Sequence, residues 1–338
     1  MVHMRIVAPP HSAEKALELL LGTGSACNVV HLEGAAHKPE GDVILVDVAR
    51  EDASVIVDDL RELDIPHEGS IAIEYIDTQV SDAAERAEKH ARGLPSDAVV
   101  WEEVETRTSE NTELSVNFLA FMVLAMLIAA VGIFLDQPIL IIGAMVVGPE
   151  YGPLAGFCVA VVERRGRLAR RSLMALVVGF PLGIAITVGV TLLFRALDVV
   201  PSEFEPGSHP LTSFLSDPDF LSFFVAFVAG VAGVLSLTSA KSGALIGVLI
   251  SVTTIPAAAN VGVAAAFGDW SETGGAALQL TVNLLAIVLA GIGTLYLQRR
   301  LYVVRRRKHL SDPAREEAGL PLGRSRRSPV VIQGRRPS

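Results

Sequence analysis

Cysteine is nearly absent: the 338 residues hold two, Cys27 and Cys158. One lies in a charged region and the other in an apolar one. No disulfide framework is expected, and two thiols cannot build an iron–sulfur cluster. The eight histidines show no metal-ligand spacing. His3, His11, His31, His37, His67 and His90 are scattered through the first third, so no metal site is expected. A Gly-rich phosphate loop, a nucleophile elbow and a zinc motif are all missing. An enzyme is therefore not expected, nor is any cofactor. The opening residues, MVHMRIVAPP, lack an apolar run of signal-peptide length, so no signal peptide is expected.

Charge is scarce too, at 19% of residues, and the mean hydropathy is +0.47. That is too apolar for an ordinary soluble chain. The long apolar runs all lie between Leu114 and Gln298. Residues 1–113 carry 24 acids and 9 bases, whereas Arg299 onward carries 12 bases and 3 acids. This asymmetry predicts four regions. They are a small soluble domain (1–80), a helical acidic linker (81–113), a transmembrane domain (114–300) and a basic, largely disordered tail (301–338).

In the first region, Met4–Val7, Cys27–Leu32, Asp42–Ala49 and Ile71–Ile76 read as strands. Ser12 is expected to cap a helix running to Leu21, and Glu51–Leu63 has helical apolar spacing. The order β-α-β-β-α-β predicts a ferredoxin-like fold.

Six spans are expected, at about 114–135, 139–162, 172–197, 219–238, 243–267 and 276–297. The loop Glu163–Arg171 holds five arginines, and RRLYVVRRRK follows the last span. The positive-inside rule puts both in the cytoplasm, and with them both termini, at a prokaryotic plasma membrane. The acidic loops at 198–218 and 268–275 then fall outside. The bilayer is the first partner expected, and the basic tail reads as lipid-facing rather than nucleic-acid-binding. A homo-oligomer is also expected.

The least regular stretch is Gly143–Gly156, GAMVVGPEYGPLAG, inside the second span. Pro149 and Pro153 remove helical hydrogen bonds, and Glu150 sits near the midpoint. A carboxylate at that depth is costly and marks a candidate site. Gly148 and Gly152 complete a predicted break. The fifth span has a similar interruption. Pro256 follows Thr253 and Thr254, and Asn260 lies one turn on. Asn283 is a further polar candidate in the sixth span. Three spans per half make the halves opposite in orientation. Paired broken helices in inverted halves point to a midplane site for a small solute or ion.

The stretches GAMVVGPEYGPL and LSLTSAKSGALIGVLISVTTIPAAANVGVA resemble a prokaryotic hydrophobic membrane protein family, domain of unknown function 389. The resemblance covers roughly residues 110–300, and the N-terminal unit fits the family's common architecture. Many members read Ser-Pro-Leu/Met-Gly-Pro around the position of Glu150, so the resemblance implies the break more than the carboxylate. The expected function is a transporter or channel-like protein; the alternative is a membrane-anchored sensor or scaffold.

Overall fold

The computed structural model describes residues 1–91, 98–201, 204, 219–239 and 254–325. The chain is mostly helical, with one small antiparallel sheet near its N-terminus. It divides into two compact units. One comprises Met1–Glu103, Thr238–Ala240 and Gln298–Ser338; the other comprises Val104–Leu237 and Lys241–Leu297.

The first unit begins with β1 (Val2–Ala8), α1 (Pro10–Gly22), β2 (Ala26–His37) and β3 (Glu40–Val48). It continues with α2 (Arg50–Glu62), a single turn α3 (Ile65–Glu68) and β4 (Ser70–Tyr75). Alternation sets the sheet. Val2, Met4, Ile6 and Ala8 of β1 are buried, as are Ile44, Val46 and Val48 of β3. These residues pair directly, Val2 with Val48 and Ile6 with Ile44. The helices cover that face with Ala16, Leu19 and Leu20 of α1 and Ile56, Val57 and Leu60 of α2. The strand order is β2-β3-β1-β4, all antiparallel, with each helix joining strands two places apart. That is the interleaved arrangement expected from the element order. One local reading changes. Pro9, not Ser12, precedes α1, because Pro10 at the first helical position has its φ already set for a helix. Ser12 lies within the first turn and its hydroxyl donates to the Pro9 carbonyl at 3.2 Å.

The hairpin between β2 and β3 carries an acid-sensitive contact. The Asp42 carboxylate accepts the Gly34 N–H at 2.8 Å and the His31 Nε2 at 2.9 Å. The Gly34 bond, then the His31 bond, hold Asp42 below the usual carboxylate range. A folded pKa below the unfolded one stabilises fully above about pH 4 and is lost as pH falls through the folded value. Asp42→Asn is expected to remove this contribution, lowering stability at neutral pH and flattening its fall on acidification. Urea titrations of the full chain in detergent at pH 7 and pH 3 check this; equal acid sensitivity in both proteins rules it out.

The expected disordered tail is corrected at residues 301–325. A 40-residue helix, Trp270–His309, runs on past the apolar segment, and a short helix, Pro313–Glu317, follows it. Arg306 and Arg315 are buried against Asp59 and Glu62 of α2. The basic composition reflects a fixed charge partner rather than solvation. Gly22 makes the packing possible, since a Cβ there would lie 2.7 Å from the Ala314 side chain. Before this, α4 (Asp82–Ala91) and α5 (Trp101–Asn111) fill the region read as a linker.

The second unit contains α6 (Val116–Phe134), α7 (Pro138–Val147), α8 (Tyr151–Val162), α9 (Gly166–Ala196) and α10 (Phe220–Thr238). It ends with α11 (Ile255–Phe267) and residues 270–297 of α12, the long helix Trp270–His309. Among the described residues, four helices are long and apolar enough to cross a membrane; α7 with α8 makes five if counted as one bent span. The first part of the expected fifth span, 243–253, lies outside the described residues. The last helix starts earlier than the sequence reading has it. Gly268 ends α11 at φ +79°, and Asp269 Oδ1 accepts the N–H groups of Ser271 and Glu272 at 3.0 Å. Gly274 and Gly275 then continue the helix instead of breaking it. The core of this unit joins α6, α7, α9 and α11. Gly179 and Gly183 let α9 close onto Phe118 and Met126 of α6, the small-residue packing expected between apolar helices.

Candidate functional site

The break falls where the prolines and glycines place it. The helix α7 ends at Val147, α8 begins at Tyr151, and their axes differ by 53°. Gly148 is extended at ψ 128°, and Glu150 returns to helical angles immediately before α8. Pro153 sits in the first turn of α8 and Pro256 in the first turn of α11, where no intrahelical N–H bond is needed. Both prolines therefore open a helix rather than kink one.

These two helix starts meet. Glu150 precedes α8 and Thr254 precedes α11, and Thr254 Oγ1 donates to Glu150 Oε1 at 2.8 Å. Both residues are fully buried. The N-terminal end of a helix carries partial positive charge, and two such ends flank this carboxylate. The arrangement offsets part of the cost of keeping an acid inside apolar surroundings. Gly148 supplies room for it. A Cβ at Gly148 would lie 2.5 Å from Glu150 Oε2 and 2.8 Å from Ile255 Cγ1.

The other side of the break opens into a cavity of about 380 Å³, wholly within this unit. Gly148, Pro149, Tyr151 and Gly152 line it, with Glu110 and Glu113 of the preceding segment. The Tyr151 hydroxyl is buried without a hydrogen-bond partner. Glu113 is paired with Arg171 at 2.8 Å. Glu150 itself is not part of this lining.

The structure thus brings together Gly148, Glu150 and Thr254, and places Pro149, Gly152, Pro153 and Pro256 at the same two helix starts. Thr253 lies outside the described residues. Asn260 goes elsewhere. It is 1% exposed, and its Nδ2 donates to Glu272 Oε1 at 3.0 Å. Asn283 accepts from Gln279 at 3.3 Å. The sequence reading missed Tyr151, Glu272 and Gln279. The last two had a visible signal, since 272, 279 and 283 share one helical face, but Glu272 was read as part of an outside loop. Among the described residues, no group of His, Cys, Asp and Glu side chains is placed to hold a metal ion.

Long apolar helices, one bent pair and a small antiparallel sheet define an α-helical membrane protein with an added α+β unit. Within that class, residues 145–289 match the family described as domain of unknown function DUF389. An uncharacterised protein of Methanocaldococcus jannaschii is 25% identical over 197 residues, covering 57% of this chain. The chain aligns with 58% of that relative's length, less than two thirds of it. No solved structure matches the chain.

Proposed function

We propose that this protein moves a small solute or ion across a prokaryotic plasma membrane, with Glu150 as the titrating group of the site. The observation that carries the reading is the Thr254–Glu150 hydrogen bond, which joins the starts of two interrupted helices at a buried acid. Interrupted helices that meet at a polar point are the usual construction of a transport site. Protonation of Glu150 removes a charge held by two helix ends and so changes what those ends attract. In this reading the chain has six spans in two inverted halves, with α8 and α11 as counterparts, and both termini are cytoplasmic. It is not an enzyme, it works as a homo-oligomer in the bilayer, and the N-terminal unit regulates it.

The test is flux in proteoliposomes under an imposed pH gradient, read by an internal pH dye. Wild-type protein is expected to show pH-dependent flux. Glu150→Gln is expected to abolish the pH dependence and Thr254→Val to displace it. An unchanged profile in Glu150→Gln removes the carboxylate from the mechanism.

A second reading, a membrane-anchored sensor or scaffold, is favoured by one observation: Glu150 is fully buried and does not line the cavity. No flux from wild-type protein under any imposed gradient supports it.

A further inference from the structure

The turn between α8 and α9 carries the five arginines of Glu163–Arg171, and the fold divides them into two sets. Arg165 is paired with Glu105, and its Nε lies 2.9 Å from Glu163 Oε2. Arg171 is paired with Glu113 at 2.8 Å. Arg164, Arg167 and Arg170 are exposed and make no ion pair or hydrogen bond among the described residues. The first turn of α9 holds no acid to offset them. The C-terminal basic run differs. Arg306 and Arg315 are committed to Asp59 and Glu62, and Arg299 lies over the Trp101 ring. The uncompensated positive charge of the membrane unit is therefore concentrated at 164, 167 and 170.

Two of these arginines head an apolar face. At about 100° per residue, Arg167, Arg170, Leu173, Met174 and Val177 fall within about 60° of one line along α9. Leu173, Met174 and Val177 are 49%, 50% and 58% exposed. Leu168, Ser172, Ala175 and Gly179 lie on the opposite side of the helix and are buried. The exposed line continues to Pro181. From Arg170 to Pro181 it runs about 16 Å, close to half of a roughly 30 Å hydrocarbon layer. Arg167 and Arg170 are neighbours on the helix, with Cβ atoms about 5–6 Å apart. Arg164 stands just ahead of them at φ +58°, in the left-handed region where glycine is the usual residue. The chain keeps an arginine there and places its glycine, Gly166, two residues later.

We propose that this face seats an anionic phospholipid, with its phosphate against Arg164, Arg167 and Arg170 and an acyl chain along Leu173, Met174 and Val177. Guanidinium forks match phosphate oxygens in charge and in geometry. Charge followed by an exposed apolar line one leaflet deep is the order of a lipid from headgroup to chain. A zwitterionic headgroup brings its own cation toward the arginines, so the match is to a net negative one. A free phosphate would leave the apolar line uncovered. A second copy of the chain fits worse. Copies in one bilayer share an orientation, so a second α9 would bring its arginines to the same depth, like charge against like. The inference does not rest on the transport reading, because the lipid is a partner of the outer face and not a cargo.

The test is thermal unfolding of the full chain in neutral detergent. Phosphatidylglycerol and phosphatidylcholine of the same acyl chains are added at equal mole fraction, and inorganic phosphate is added in a third arm at equal ionic strength. A lipid held only by the folded state raises the midpoint. Phosphatidylglycerol is expected to raise the wild-type midpoint by about 2 °C or more beyond phosphatidylcholine, and inorganic phosphate to leave it unchanged. Arg164→Gly combined with Arg167→Gln and Arg170→Gln should remove the difference between the lipids. Arg167→Lys with Arg170→Lys, which keeps the charge, should retain most of it. Arg307→Gln with Lys308→Gln, at two exposed bases of the C-terminal run, should retain all of it. Arg164→Gly alone relaxes the backbone, so it should shrink the difference without lowering the midpoint in detergent. That single variant separates lost binding from lost folding. The proposal fails if the two lipids act alike on the wild type or if inorganic phosphate reproduces the shift. It fails too if the triple variant or Arg164→Gly keeps the whole difference, or if the Arg307/Lys308 variant loses it. Light scattering that shows the triple variant changing its oligomeric state, with the lipid difference intact, would make the face a contact between copies and overturn the proposal.

Discussion

Arg315→Ala is expected to cost about 3–5 kcal/mol, the range for removing one partner of a buried ion pair. The guanidinium is fully buried and so is its partner Asp59. Its second nitrogen reaches Glu62 Oε2 at 3.0 Å. Arg306 closes the group from the other side, at 2.5 Å from Asp59 Oδ1 and 3.0 Å from Glu62 Oε1. His309 Nε2 lies 2.8 Å from Asp59 Oδ2. Two carboxylates are thus held by two guanidiniums within a dry cluster. Truncation at 315 leaves three of these groups buried with one positive charge fewer. Arg315→Lys keeps the charge but loses the fork that reaches both acids, so it should recover only part of the loss. Replacing Asp59 and Arg315 together by leucine should cost less than Arg315→Ala, because no uncompensated charge remains. Hydrogen exchange of the Pro313–Glu317 amides and of α2 reads the effect locally. A loss under about 1 kcal/mol, or exchange unchanged in α2, would sink the idea that these arginines anchor the C-terminal segment.

This cluster also shows where the sequence stops informing. The strands and helices of the first unit follow from local periodicity, and they appear where alternation and apolar spacing put them. The same reasoning assigns no partner to the acids Asp58, Asp59 and Glu62, and the final arginines look disordered. Their partners are each other, about 250 residues apart, and composition cannot report a pairing at that separation. The membrane unit divides in the same way. Pro149, Pro153 and Pro256 announce both helix starts, because proline chemistry is local. That Thr254 meets Glu150, and that Asn260 turns to Glu272 instead, depends on which helix faces which. The early start of α12 was hidden by Gly274 and Gly275. Glycine lowers helix propensity by about 1 kcal/mol, and the Asp269 cap with tertiary packing overrides it.

At the break itself, Gly148→Ala should cost about 1–3 kcal/mol, the range for forcing a methyl into a filled space. The backbone does not demand glycine, since φ is −62°. The space does. The new Cβ would fall 2.5 Å from Glu150 Oε2 and 2.8 Å from Ile255 Cγ1. The carboxylate is the movable obstacle, but moving it breaks the 2.8 Å contact with Thr254. Ile255 has no exposed surface into which to shift. The two explanations separate in a double-mutant cycle. If the carboxylate is the obstacle, Gly148→Ala should cost at least about 1 kcal/mol less in a Glu150→Ala background than in the wild type. Effects that add within about 0.5 kcal/mol would put the clash on Ile255 alone and would detach Gly148 from the acid. Gly143→Ala, five residues earlier in α7, is the control. A Cβ there meets nothing within 4 Å, so this change should be neutral or stabilise by up to about 1 kcal/mol through helix propensity. In flux measurements, Gly148→Ala should displace the pH profile in the same direction as Thr254→Val, since both act by freeing the Glu150 carboxylate from one neighbour. Opposite displacements would mean that the glycine and the threonine hold different conformations of the site.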